Sequence, residues 1–452
     1  MSNNNHHHHN GHPNKSRPII IISLCLFIAV TLCSSAGTVF HQLTSVQNVP
    51  PFLTAFWRLF LQNIVQFIPF VYTLYKVWRK DQEIIMKRMS MDVHGDTLID
   101  TKDDNNDDDD NVVAIQVDEE NHDDVNQKRK VNGINRTTTL SNNNNDKSFS
   151  EQNNELLIPK YIRSMPLLLL SGFALGVHFS LWVYSLRHTS LTHSLLWVTM
   201  GPIVLNVGSW VAYGSSTICG VWSCCCISGI VFRKPTILET IGAIVGVGGA
   251  GIMLLDIQMN DDDDDDNIDL PEYARLPSFR GNIAAFMGAV AMCLYLVIGK
   301  RVRSWLPLWL YVFPVVGFAS LTCLIFAFLD SSDRTVWTGW TNKSVFGVFT
   351  IDYFFYSLYL GIGPGIFGHT MINGLLRYIS PFIISTALLA EPITGSIIGY
   401  IFNMQTLPAL YTWIGGLVLL IGLVMVVLGE SKSYQLLGKR KRNGIEEEPN
   451  QD

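Results

Sequence analysis

Ten stretches of about 17–25 residues that are nearly free of charge dominate this sequence, and that length is what an α-helix needs to cross a hydrocarbon core. They lie near 19–40, 53–77, 165–186, 190–213 and 236–256, and again near 281–300, 305–329, 353–376, 380–402 and 410–429. Between them run stretches rich in Asn, Asp, Lys and Glu. A chain that is 48% hydrophobic and 15% charged, with its charge confined to blocks, reads as an all-α integral membrane protein of about ten transmembrane helices. Only helices and closed barrels satisfy their own backbone in lipid, and nothing alternates here as barrel strands do.

The polar segments set the organisation. Residues 1–18 form an Asn- and His-rich tail expected to be disordered, and 81–160 an acidic, Asn-rich insert too poor in apolar residues to fold alone. An acidic linker, 257–279, with the run Asp261 to Asp266, separates a first five-helix set (19–256) from a second (280–430), and 431–452 is a polar tail. The first apolar run follows Lys15 and Arg17 as a secretory leader does, but its length and its place in the repeat read it as a retained helix. Segment 217–232 is apolar, short and broken by Gly and Cys, and reads as non-spanning.

Charge gives an orientation. With the N-terminus in the cytoplasm, the inner loops hold Lys76, Arg79, Lys80, Lys87, Arg88, Lys160, Arg163, Arg233, Lys234, Lys300, Arg301, Arg303 and Arg377, and the outer loops only Arg187, Arg275, Arg280, Arg334 and Lys343. This is the positive-inside pattern, with both termini cytoplasmic; plasma membrane and endomembrane stay open. The sequon Asn342-Lys343-Ser344 then faces outside, where Asn342 is a glycosylation candidate, while Asn135-Arg136-Thr137 faces inside. Of the eight cysteines, Cys224, Cys225 and Cys226 stand side by side near the inner surface, as palmitoylated cysteines do; unpaired thiols are the plainer reading.

An internal echo runs through the helices. Leu186-Arg187, Ser190 and Pro202 match Leu376-Arg377, Ser380 and Pro392 at a constant offset of 190 residues, Gly176-Val177-His178 echoes Phe367-Gly368-His369, and Ile241-Gly242 echoes Ile414-Gly415. Five helices per half is an odd number, so the halves run in opposite senses, which is the inverted-repeat logic of secondary transporters.

Against that frame some residues stand out. Glu391, midway along its apolar run, is costly in lipid unless paired or hydrated; its counterpart in the first half is Gly201. It is a candidate for a coupling proton or a cationic group, or else a structural, internally bonded Glu. Pro202 and Pro392 remove backbone donors and open their helices. His178 with Trp182, and His369 with Asn373, are spaced four apart and share helix faces; they serve either a substrate or neighbouring helices. Arg58, near the start of its run, attracts an anion or snorkels to the interface. Trp197 and Tyr295 line a cavity or simply pack. Gly246 to Gly251 matches G-x-G-x-x-G formally, but inside an apolar helix; Gly242, Gly246 and Ala250 recur every four residues, as close helix packing requires.

The stretches Pro50 to Arg58, Ser185 to Pro202, Glu239 to Asp256, Gly281 to Lys300, Gly368 to Pro392 and Trp413 to Gly422 together resemble the EamA-type permeases of the drug/metabolite transporter superfamily. The resemblance covers nearly all the membrane part and none of the tails. It implies ten helices, a central cavity, alternating access, and substrates such as amino acids, metabolites or nucleotide sugars. The acidic residue that commonly ends the fourth helix of each EamA half is replaced here by Arg233-Lys234 and Gln405-Thr406. No H-E-x-x-H, P-loop or G-x-S-x-G motif is present, so neither an enzyme nor ATP-driven transport is expected, and no metal or cofactor. The expected partners are membrane lipid and a small-molecule substrate, with no nucleic acid. The expected function is secondary transport of a small solute; a nucleotide-sugar carrier and a non-transporting membrane scaffold are the alternatives.

Overall fold

The computed structural model describes residues 16–99, 156–218, 236–253, 255, 277–331, 339–403 and 410–442. The palmitoylation candidates Cys224 to Cys226, segment 219–235, the Asp261 to Asp266 run, Gln405-Thr406 and the sequon at Asn135 lie outside the described residues. So do most of the N-terminal tail, insert and linker, and the end of the C-terminal tail. Among the described residues there is helix and no strand.

The chain divides into two units. The larger, Met1–Leu74 with Ser164–Asp452, holds nearly all the apolar helices. In chain order these are α1 (Ser16–His41, continued by a π turn to Val46), the first part of α2 (Pro51–Ile99), α4 (Met165–His188), α5 (Leu191–Val198), α6 (Gly201–Ile218), α7 (Ile237–Met253), α8 (Phe279–Arg303) and α9 (Leu308–Asp330). Then follow α10 (Ile351–Leu360), the π-helical stretch Gly361–Thr370, α11 (Met371–Leu375), α12 (Pro381–Ala387), the 3-10 turn Leu388–Ala390, α13 (Glu391–Ile401) and α14 (Leu410–Arg442). The smaller unit, Tyr75–Arg163, contains the rest of α2 and the short α3 (Leu157–Arg163). There the Asp81 carboxylate accepts the backbone N–H groups of Leu157 and Ile158 at 3.1 and 2.8 Å. A carboxylate on the orphan donors of a helix start satisfies both their hydrogen bonding and the helix dipole.

Each of the ten apolar windows is mainly helical among the described residues, yet six helices there are long and apolar enough to cross a membrane: Ile20–Val46, Met165–His188, Leu191–Val211, Phe279–Arg303, Leu308–Asp330 and Ile383–Ile401. Ile237–Ile252 and Leu410–Val426 are shorter apolar helices. The other two windows are diluted by polar or small residues. In α2 these are Thr54, Arg58, Gln62 and Gln66, every fourth residue and all buried, while Ile64, Phe67 and Ile68 face outward, Ile68 being 77% exposed. That inside-out arrangement suits lipid and defeats solubility in water. The chain is a multi-pass, all-helical membrane protein.

Several boundaries differ from the sequence expectation. Of the insert expected to be disordered, 81–99 continue α2 and 157–160 open α3; 16–18 of the N-terminal tail already belong to α1, and 431–442 of the polar tail continue α14. Neither 81–99 nor 431–442 contains a Pro, and Gly95 and Gly438, though weak helix formers, do not end a helix already begun, so these helices outrun the apolar windows.

The glycine spacing in α7 has a packing role. Gly242, Gly246 and Gly249 lie against Gly415, Leu419 and Gly422 of α14 so closely that a Cβ at Gly242, Gly249 or Gly422 would strike backbone. Such small-residue seams let two helices reach van der Waals contact where lipid offers no hydrophobic drive.

Candidate functional site

Two helices of the larger unit break at equivalent places. In the first half α5 is opened by Ser190, whose Oγ accepts the His193 amide at 3.3 Å. It ends at Val198, and Gly201-Pro202 starts α6 after Thr199 and Met200. Thr199 Oγ1 donates to the carbonyls of Leu195 and Leu196 at 2.9 and 3.2 Å, closing the exposed end. In the second half α12 tightens into the 3-10 turn Leu388–Ala390, and Glu391-Pro392 starts α13. Proline lacks the N–H an interior helix position needs but fits a first turn, so each Pro restarts a helix rather than continuing one.

The two breaks meet at a cavity of about 40 Å³. Its lining includes Gly201 from the first break and Glu391 from the second. Cys33 of α1, His178 and Trp182 of α4, Thr199 of the first break, Met292 and Cys293 of α8, His369 of the π stretch and Ser385 of α12 complete its polar and sulfur-bearing wall. By the volume one water requires, this is room for about three waters. Cys293 Sγ donates to the Gly201 carbonyl at 3.4 Å. His178 Nδ1 donates to the Gly288 carbonyl at 3.0 Å, which fixes the tautomer and leaves Nε2 as an acceptor. The His178 ring stacks on Trp182 (6.0 Å between centroids) and faces the His369 ring at 6.5 Å. Trp182 Nε1 and His369 Nδ1 are buried without a hydrogen-bond partner.

Arg58 stands beside this cavity rather than in its lining. It is 0% exposed, so it does not snorkel. Its guanidinium sits 4.0 Å above the Phe179 ring and 5.6 Å from that of Phe40. A cation over an aromatic face is stabilised by the ring quadrupole, yet Nε, Nη1 and Nη2 all lack an acceptor. Among the described residues the one ion pair within 4.0 Å is Arg79–Glu83, in the smaller unit. Arg58 and Glu391 are thus both buried near the cavity without an ion pair between them.

Tyr295 is reached by the Asn373 amide, which also donates to the His369 carbonyl at 2.7 Å. These two residues thus brace the π stretch that carries His369. Trp197 lies elsewhere. It packs edge-on against Phe286, 6.2 Å between centroids, and against an apolar cluster with Leu196, Met200 and Leu419. Pro392 also borders a second, apolar groove between α5, α13 and α14. Asn342 donates its side-chain amide to the Gln47 carbonyl at 3.2 Å, and Ser344 is buried, so the sequon is folded into its surroundings.

Several contributors escaped the sequence reading. Gln62 donates to the Gly365 carbonyl at 3.0 Å, and Gln66 to Thr370 Oγ1 at 2.7 Å, tying α2 to the π stretch. The signal was the four-residue spacing of Thr54, Arg58, Gln62 and Gln66, visible only when Arg58 is not taken alone. His193 accepts from Asn282 Nδ2 at 3.2 Å on Nδ1 and meets Thr412 Oγ1 at 2.7 Å through Nε2, linking α5, α8 and α14. Partners so remote in sequence leave no local pattern.

No family model matches the chain. No curated protein matches it. Among solved structures, one titled "Crystal structure of protein" covers 93% of this chain and 98% of its own, at 15% identity and a TM-score of 0.45.

Proposed function

We propose that this chain is a secondary carrier of a small solute, of the EamA type, in which ten helices form two inverted five-helix halves with both termini in the cytoplasm. The observation that carries the reading is Glu391. A carboxylate at a helix break, 8% exposed, lines a cavity deep in an apolar bundle and has no ion-pair partner. Such a group is expensive in a membrane and is kept where an ion or solute passes. The matching breaks at Thr199–Met200 and Leu388–Ala390 supply what alternating access needs, two hinged helices converging on one site. A cavity with room for about three waters suits a small solute, or a state with the path closed; a nucleotide sugar demands far wider opening.

Reconstitution into liposomes with a panel of labelled solutes tests this. Glu391→Gln, which keeps shape and removes charge, is expected to lower uptake at least about tenfold with the folded yield unchanged, the size expected when one charged contact is lost. Uptake equal to wild type in that variant, or no uptake of any solute by well-folded wild type, sinks the carrier reading. The second result favours a scaffold.

A further inference from the structure

Arg58 is a strongly charged group beside the cavity that the carrier reading leaves without a task. Its guanidinium is fully buried, its three nitrogens have no acceptor, and Phe179 and Phe40 hold it in place. A planar fork of five N–H donors matches a carboxylate or phosphate edge, and proteins do not leave such a fork buried and unfilled without a reason. Glu391 lies more than 4.0 Å from it, too far to occupy the donors. Phe179 in turn packs against His369 of the cavity wall, 5.1 Å between ring centroids, so the fork and the cavity share a partition one ring thick.

Resting on the carrier reading, we infer that Arg58 is the anion-recognising residue of this site, and that the solute carries an anionic oxygen group, carboxylate or phosphate, which fills the guanidinium fork. Phe179 and Phe40 act as positioning residues that fix the plane of the fork, and Phe179, standing between fork and cavity, turns aside to let the anionic group of the solute reach the guanidinium. A structural Arg58 and a recognising Arg58 differ in what removal does. A structural arginine stabilises the empty protein. A recognising one is a burden until its ligand arrives, because its donors are satisfied only then.

The test is thermal unfolding of the purified full-length protein in detergent at constant ionic strength, with acetate, inorganic phosphate or acetamide as probe. Acetamide has the size of acetate without its charge. The expected result is that acetate, phosphate or both raise the melting temperature of wild type and acetamide does not; the anion that acts names the source of the oxygen group. In Arg58→Met, similar in length and neutral, the empty protein is expected to melt higher than wild type and to lose the response, with binding about 10- to 100-fold weaker, as for a lost charge-assisted contact. Arg58→Lys keeps the charge without the fork and should respond weakly. An acetamide effect equal to that of acetate, no response to either anion, or a full anion response in Arg58→Met overturns the assignment. The acetate–acetamide contrast needs wild type alone, so it stands even where a variant does not fold. Anion binding without transport in liposomes removes the carrier reading and leaves this site. Transport of neutral solutes only, by wild type and Arg58→Met alike, does the reverse.

Discussion

Where α5 gives way to α6 the chain places Thr199, Met200, Gly201 and Pro202; where α12 gives way to α13, 190 residues on, it places Leu389, Ala390, Glu391 and Pro392. Both breaks end on proline, both reach the same cavity, and one position separates a hydrogen atom from a carboxylate. The first break is closed on itself by Thr199. The second is closed in the same way, with Thr394 Oγ1 2.8 Å from the Ala390 carbonyl, and that hydroxyl also meets Ser34 Oγ of α1 at 2.6 Å, much as Cys293 Sγ holds the Gly201 carbonyl of the first. The first half is moreover pinned through His193 to Asn282 and Thr412, whereas the position 190 residues later is Ile383, which is exposed. A shared backbone plan thus carries chemistry in one half and anchorage in the other. A repeat need not divide its labour evenly.

That contrast can be broken deliberately. The largest effect is expected for Gly201→Glu, which sets a second carboxylate across the cavity from Glu391. Two buried like charges with no cation in contact should cost on the order of 3 kcal/mol or more, read as loss of the folded peak in size-exclusion chromatography. A normal peak would mean the two breaks do not face one space. Next comes His193→Ala, which leaves Asn282 and Thr412 each short of a partner in the buried interior; a loss of about 1–3 kcal/mol is expected, measured as a lower melting temperature. Ile383→Ala, at the equivalent position, should change it far less. The smallest effect belongs to Gly201→Ala. The added Cβ would meet Cys293 Sγ and Ser385 Cβ at 3.5 Å, an ordinary contact, so stability should move by less than about 1 kcal/mol while the cavity narrows and uptake falls modestly. A collapse in stability there would show the first break to be as tightly packed as the α7–α14 seam.

The helices were legible because the sequence signal for them, a long uncharged run, is local and strong. Their ends were not. Nothing at residues 77–81 stops a helix, Gly429 does not stop the last one, and lipid thickness rather than chain chemistry had set the expected boundary. Within the site, Glu391, His178, Trp182 and His369 stand out in a sequence because polar or aromatic groups in apolar runs are few, and the structure gathers these four around one cavity. Trp197 stood out equally and packs in a core instead: exclusion from the interfacial belts says that an aromatic is deep, not what it faces. Position in the run misled for Arg58, since a residue two turns from a helix start can be walled in by α1 and α4 from either side. What could not be read was pairing across the fold, such as Gln66 with Thr370 or His193 with Asn282, which depends on which helices become neighbours.

The polar stripe of α2 has a consequence for how the protein is made. Gln62 and Gln66 find their acceptors at Gly365 and Thr370, some 300 residues downstream. While the ribosome is still translating the first half, this helix must therefore be sheltered at the insertion machinery or lie in lipid with its amides unanswered. Its final seat exists only once the last third of the polypeptide has emerged, so biogenesis closes this molecule from its far end back onto its beginning.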